Sequence, residues 1–238
     1  MFAMRRILVL GFLGGVVGAC APGELTGPGA AEVAAVAVPA APPAIAPRPA
    51  EEPARPPVDP ELAAFYASRA DGDWRIDTID VAAFDPRYLR QRVAFETAEA
   101  PGTIIIDTAA RHLFLVEEGG MATRYGISVG REGFGWTGEG RIGRKARWPR
   151  WTPPAEMIDR DPSLERWRGG MPGGPRNPLG ARALYIYFGD QDSLYRVHGT
   201  NEPRSIGRRA SSGCFRMLNQ DVIDLHARTA NGAKIIVR

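Results

Sequence analysis

The feature that most limits the fold of this chain is a segment rich in proline and alanine at residues 21–60. Nine prolines lie between Pro39 and Pro60, and large apolar side chains are almost absent from the segment. Such a composition cannot bury enough surface to fold, and its prolines favour extended polyproline II backbone. We expect a disordered tether, or a disordered tail without a spacing role, so one mid-sized domain must form from the residues that follow.

The first twenty residues have the pattern of an export signal. Arg5 and Arg6 precede a short apolar stretch over residues 7–17, which is too short to span a bilayer comfortably. The run Val17–Cys20 resembles a bacterial lipobox, in which Cys20 would be lipidated. An ordinary signal peptide, with Cys20 discarded, is the alternative. Because Ala21 rather than Asp follows the cysteine, we expect a periplasmic protein anchored by lipid to the outer membrane.

Cysteine count and charge narrow the classes of function. Cys20 and Cys214 are the two cysteines of the sequence, so Cys214 has no partner once Cys20 is lipidated or removed. A lone thiol in an oxidising compartment indicates either a functional group or an inert buried side chain. The net charge of +3, without a basic run, argues against a nucleic-acid partner. One cysteine and three scattered histidines lack zinc spacing, so neither a metal nor a cofactor is expected.

The C-terminal half has the pattern of a β domain. Residues 61–100 are predicted to be a small, partly helical N-terminal extension, with helical segments near Leu62–Tyr66 and Tyr88–Phe95. Residues 101–238 are predicted to be the main domain. Strands are predicted at 103–107, 112–116, 123–129, 184–188, 194–198 and 233–237. A helix from Asn219 as N-cap to Thr229 and a long active-site loop at 131–180 complete a mainly β, mixed β-sandwich-like domain with one or two helices.

The residues that point to chemistry are His198 and Cys214. A thiol needs a nearby base to act as a nucleophile at neutral pH, and histidine is the usual one. His198 ends a predicted strand and Cys214 precedes the predicted helix, so a returning loop can bring them together. Gly213 allows close backbone approach, and consecutive amides there can face a developing oxyanion.

These motifs resemble the L,D-transpeptidase catalytic (YkuD/ErfK) family. The resemblance rests on Val197–Asn201, on Ser211–Asn219, and on the preceding runs 148–154 and 177–184. It implies Cys214 as nucleophile, His198 as general base and acid, and the Gly199 carbonyl as the group that orients the imidazole. It also implies a cell-wall acyltransferase that forms a thioester from peptidoglycan stem peptides and releases D-Ala.

The sequence departs from the family pattern at Ser212, where the family usually has histidine. We expect Ser212, Gly213 and Cys214 to contribute backbone amides to an oxyanion hole, a role that does not depend on the side chain. Arg216 either binds a substrate carboxylate or forms a structural ion pair. Asn219 either binds substrate or caps the helix.

Two other classes of function share some of these features. Cell-wall cysteine peptidases also use a Cys–His pair, but they place the cysteine before the histidine in the chain. A wall-binding lipoprotein without activity would leave the Cys–His motif unexplained. For an L,D-transpeptidase, the acyl acceptor would be another stem, an outer-membrane protein, a free D-amino acid or water.

Overall fold

The computed structural model of the protein describes residues 59–131 and 135–238. The predicted signal peptide, Cys20 and nearly all of the predicted tether lie outside these residues. Across the two described stretches, no helix is both long enough and apolar enough to cross a bilayer.

The core of the fold is a nine-stranded mixed sheet. The strands of the described residues are β1 (Arg69–Asp71), β2 (Trp74–Ile76), β3 (Gln91–Ala94), β4 (Ile104–Asp107), β5 (His112–Val116), β6 (Met121–Gly126), β7 (Val129–Gly130), β8 (Gly138–Arg147), β9 (Arg182–Phe188), β10 (Gln191–His198), β11 (Arg209–Ser211), β12 (Phe215–Arg216) and β13 (Lys234–Val237). The large sheet has the order β12-β10-β9-β8-β13-β4-β5-β6-β3, and the pairs β1-β2 and β11-β7 are separate. The prediction of a mainly β domain with few helices is confirmed.

In the described stretches, three α-helices accompany the strands: α1 (Pro60–Phe65), α2 (Ala155–Arg160) and α3 (Asn219–Arg228). Helix α3 packs its buried Val222 and Leu225 into the main apolar cluster. That cluster includes Leu184 of β9, Val197 of β10 and Phe215 of β12. Because side chains alternate along a strand, these contacts define an α3 face of β8, β9, β10 and β12. The opposite side of the same strands is the Cys214 face.

The N-terminal extension packs against the start of α3. The Tyr66 hydroxyl donates to Asp221 Oδ1 at 2.7 Å and accepts from the Arg90 amide at 2.8 Å. Burial raises the pKa of Asp221 to about 8. Arg182 of β9 forms two hydrogen bonds, of 2.6 and 2.7 Å, with the carboxylate of Asp71. These buried polar contacts attach residues 59–90 to the α3 face of the sheet.

Several details of the predicted secondary structure were wrong. The predicted strand 123–129 divides into β6 and β7, which belong to different sheets. The segment near 88–95, expected to be helical, has a short 3-10 turn at Pro86–Tyr88 and then β3, which pairs with β6 at the sheet edge. The predicted loop at 131–180 contains the ten-residue strand β8, α2 and the 3-10 helix Pro162–Trp167. Strand β8 pairs with both β9 and β13, so neighbouring strands stabilise a segment whose own pattern is not β-like. The N-cap of α3 is Leu218 rather than Asn219.

Candidate active site

The pairing of β10 with β12 brings His198 and Cys214 to the same face of the sheet. The two strands are parallel, with Val197 opposite Phe215 and His198 opposite Arg216. Val197 and Phe215 are buried in the core on the α3 face. Alternation then places His198 on the opposite face, together with Cys214, the residue that immediately precedes Phe215. Topology thus joins two residues that lie sixteen positions apart in the chain.

The imidazole of His198 is buried and held in one tautomer. Its Nδ1 lies 2.6 Å from the carbonyl oxygen of Gly199. A carbonyl can only accept, so Nδ1 carries the proton and Nε2 keeps a free lone pair. Burial lowers the pKa of His198 to about 4, and the guanidinium groups of Arg216 and Arg196 add to that effect. At neutral pH the imidazole is therefore neutral and ready to accept a proton.

The residue Cys214 is partly exposed, and its thiol is protonated at rest. Burial raises the pKa of Cys214, although the backbone and side chain of Arg196 oppose the shift. The thiol lies 3.9 Å from the carbonyl oxygen of Leu194. Among the described residues, no hydrogen bond joins the thiol to the imidazole. Catalytic hydrogen bonds are often long before substrate binds, so the pair rests as a neutral thiol beside a neutral base.

A bulge in β10 forms the surroundings of the thiol. The register with β9 shifts between Asp192 and Arg196. Within the bulge, Leu194 has a φ of 65° and the residue is 76% exposed. Asp192 fixes the bulge, because it accepts from the Leu194 amide at 2.9 Å and from Arg196 Nη1 at 2.6 Å. Backbone strain at a non-glycine residue is common at functional sites, and here it lies next to the cysteine.

The loop before Cys214 is held by Ser211. The Ser211 hydroxyl accepts from the Gly213 amide at 3.2 Å and donates to the Cys214 carbonyl at 2.5 Å. Of the three amides expected to form an oxyanion hole, that of Gly213 is therefore engaged. The amides of Ser212 and Cys214 make no hydrogen bond within the described part of the chain. The side chain of Ser212 is exposed.

Arg216 and Asn219 have partners within the protein. Arg216 Nη1 lies 2.8 Å from Glu202 Oε2, so the guanidinium forms an ion pair. Asn219 Oδ1 accepts from the Ala181 amide at 2.9 Å, and its Nδ2 donates to the Thr200 carbonyl at 2.9 Å. A Cβ on Gly199 would collide with Asn219 Oδ1, so only glycine fits beside the histidine. Asn219 thus fixes the segment that carries the Gly199 carbonyl.

Sequence reasoning missed the roles of Ser211, Leu194 and Arg196. The Ser211–Gly213 spacing is typical of a local serine turn and could have indicated the role of Ser211. Leu194 and Arg196 look like ordinary strand residues, because a bulge depends on the partner strand. The described residues contain no group of three or more His, Cys, Asp or Glu side chains placed to hold a metal ion.

Known proteins similar to this chain support one family. The sequence profile of the L,D-transpeptidase catalytic domain, YkuD, matches residues 101–237. The probable L,D-transpeptidase YbiS of Escherichia coli K12 is 33% identical over 138 residues, which is 56% of this chain and 43% of YbiS. The chain thus spans less than half the length of this curated relative.

Two solved structures overlap part of the chain. A crystal structure from Brucella melitensis, named a probable carnitine operon oxidoreductase caia, is 48% identical, with 66% of this chain and 97% of that chain covered and a TM-score of 0.46. An L,D-transpeptidase from Mycobacterium smegmatis is 18% identical, with 57% of this chain and 58% of that chain covered and a TM-score of 0.43. On the match over residues 101–237, the chain belongs to the L,D-transpeptidase catalytic domain (YkuD) family.

Proposed function

We propose that this protein is a peptidoglycan L,D-transpeptidase that forms a thioester on Cys214. The observation that carries the proposal is the fixed tautomer of His198, whose Nδ1 donates to Gly199 and whose Nε2 has no hydrogen bond to the described residues. This base lies on the same face of the β10–β12 pair as the thiol. Such an arrangement suits acyl transfer by a nucleophile that is deprotonated only as it attacks.

The proposed reaction has two half-reactions. In the first, Nε2 of His198 takes the thiol proton while Cys214 Sγ attacks the carbonyl between the third, diamino-acid residue of a tetrapeptide stem and D-Ala. The amides of Ser212 and Cys214 stabilise the oxyanion. The C–N bond then breaks, and the imidazolium gives its proton to the departing amine of D-Ala. In the second, an acceptor amine attacks the thioester carbonyl and passes a proton to His198. The C–S bond then breaks, and the imidazolium returns the proton to the Cys214 sulfur.

A cysteine peptidase that uses water as acceptor is the second candidate. Water on the same thioester would make this site a carboxypeptidase, and the partly exposed thiol gives water access. The identity of the acceptor, whether stem amine, outer-membrane protein or water, follows from the products. Export and lipid anchoring through Cys20 stay predictions of the sequence.

The test uses purified protein and a disaccharide-tetrapeptide, with products identified by mass spectrometry. We expect release of D-Ala and a cross-linked dimer from the wild type. Cys214→Ala should abolish both, while its melting curve stays close to that of the wild type. Cys214→Ala with wild-type turnover would overturn the proposal. Hydrolysed tripeptide without any dimer would favour the carboxypeptidase instead.

A further inference from the structure

Arg144 of β8 lies in one cross-strand row with Cys214. In the sheet register, Arg144 is opposite Tyr185 of β9, and Tyr185 is opposite Arg196 of β10. Since Val197 is opposite Phe215, the residue level with Arg196 in the next strand is Cys214. The row therefore runs from Arg144 through Tyr185 and Arg196 to the thiol.

A bulge in β8 places Arg144 on the Cys214 face. The register with β9 shifts between Ile142, which is buried in the core, and Arg144. Strict alternation from Ile142 would turn Arg144 towards the core, and the extra residue, Gly143, turns it outwards. A Cβ on Gly143 would collide with the ring of Tyr187, so the bulge needs glycine. The result is an exposed arginine whose guanidinium lies 3.6 Å from the centre of the Tyr185 ring.

Charge pairing separates Arg144 from the other arginines of this face. Arg141 pairs with Asp190, Arg196 with Asp192 and Arg216 with Glu202, at N–O distances of 2.9, 2.6 and 2.8 Å. Arg144 has no carboxylate within ion-pair distance in residues 59–131 or 135–238. Its guanidinium is held in place by the ring and keeps its positive charge for an external anion.

We propose that Arg144 binds a carboxylate at the end of the side chain of the diamino acid in the donor stem. This assignment rests on the proposed function. Adjacent strands lie about 4.8 Å apart, so the Arg144 guanidinium, above Tyr185, is about two strand spacings from the Cys214 position. The D-Ala carboxylate lies next to the scissile bond and is too close to the thiol to reach that point. The side chain of the third stem residue is long enough to bring a carboxylate at its far end to the Arg144 guanidinium.

The proposal makes Arg144 a determinant of specificity. A diamino acid whose side chain ends in a carboxylate gains a bidentate ion pair with the guanidinium. A stem with a carboxamide at that position, or with lysine as the diamino acid, lacks the charge and loses the contact. The protein should therefore discriminate among stem peptides at a position that takes no part in the bond-breaking step.

The experiment compares two synthetic tetrapeptides that differ only in a carboxylate or a carboxamide at the end of the third side chain. Binding is measured by calorimetry in a Cys214→Ala background, which removes chemistry. We expect the carboxylate peptide to bind about tenfold more tightly, as for a charge-assisted hydrogen bond of modest strength. Adding Arg144→Gln should reduce that ratio to about one, and Arg144→Lys should give an intermediate ratio.

Arg75→Gln is the matched control. Arg75 is an exposed arginine of β2 whose guanidinium hydrogen-bonds Ser68 Oγ, and it has no carboxylate partner among the described residues. Its removal changes the net charge equally and should leave the tenfold ratio intact. A ratio that persists in the Arg144→Gln protein would overturn this assignment alone. Release of D-Ala by the protein with Cys214 intact is measured in parallel, and its absence would contradict the proposed function instead.

Discussion

Strands β8, β9 and β10 present one face to α3 and the other to the cysteine and histidine of the candidate active site. On the α3 face, Lys145 donates to the carbonyls of His226 and Thr229 at 2.8 and 2.5 Å. Arg182 is buried there, and its hydrogen bonds to Asp71 lower the pKa of that carboxyl. Lys145 and Arg182 thus have partners within the protein.

The Cys214 face holds groups that the protein leaves unsatisfied. Burial keeps His198 neutral and raises the pKa of the Cys214 thiol, and Leu194 has a positive φ. Arg144 keeps an unpaired charge among the described residues. The strained backbone of Leu194 costs free energy that must come from elsewhere in the fold. The comparison suggests that stability comes mainly from the α3 face and reactivity from the opposite one.

The largest expected effect comes from removing the base on the Cys214 face. His198→Gln should lower kcat/KM by about 10²–10⁴, the usual contribution of general acid–base catalysis. Because the pKa of His198 is about 4, the wild-type kcat/KM should fall only as the pH drops through about 4. Activity is lost on the acid side, where the imidazole binds a proton and can no longer accept the one from the thiol.

The pH profile of D-Ala release checks this prediction, with thermal melts at each pH to exclude unfolding. An acid limb near pH 6.5 would mean that His198 is solvated and would contradict the buried, neutral base. His198→Gln should also remove the limb at pH 4 from the residual activity. If that limb persists in the variant, another group is the base.

On the α3 face, the next largest effect concerns stability and not chemistry. Leu225 is fully buried in the main cluster, so Leu225→Ala should lower the free energy of unfolding by about 3 kcal/mol. Urea denaturation measures the change, and the kcat of the folded protein should stay within a few-fold of wild type. Ile223→Ala, at a partly buried position of the same helix, should cost less. A large loss of kcat in Leu225→Ala without loss of stability would contradict the assignment of stability to the α3 face and reactivity to the Cys214 face.

The same comparison shows which strands and which site residues could be predicted from the sequence. Strands β4, β5 and β9 have continuous or alternating apolar residues, so the sequence predicted them as strands. His198 and Cys214 belong to a sequence motif, so the sequence also indicated them as candidate site residues. Strand β8 was not, because its glycines and charged side chains give no apolar period and its stability comes from β9 and β13. The bulges that place Arg144 and Leu194 depend on register with a neighbouring strand, which no local pattern records.

The smallest expected effect concerns the strain at Leu194. An αL conformation costs a non-glycine residue about 1–2 kcal/mol, and a glycine at position 194 would avoid this cost. Glycine is also more flexible in the unfolded chain, and this flexibility offsets part of the stabilisation. Leu194→Gly should therefore raise the free energy of unfolding by up to about 1 kcal/mol and Tm by a few degrees. It should also lower kcat/KM a few-fold, because the Leu194 carbonyl beside the Cys214 thiol is held less rigidly.

Leu194→Ala is the control for this substitution. It removes the same exposed side chain but keeps the strained backbone, so Tm should stay near the wild-type value. Differential scanning calorimetry of the three proteins, with D-Ala release measured on the same samples, separates the two contributions. A lower Tm for Leu194→Gly would mean that the bulge stores no strain. A higher Tm with unchanged kcat/KM would mean that the strain is present but does not serve the thiol, because the position of the carbonyl would then have no effect on the reaction.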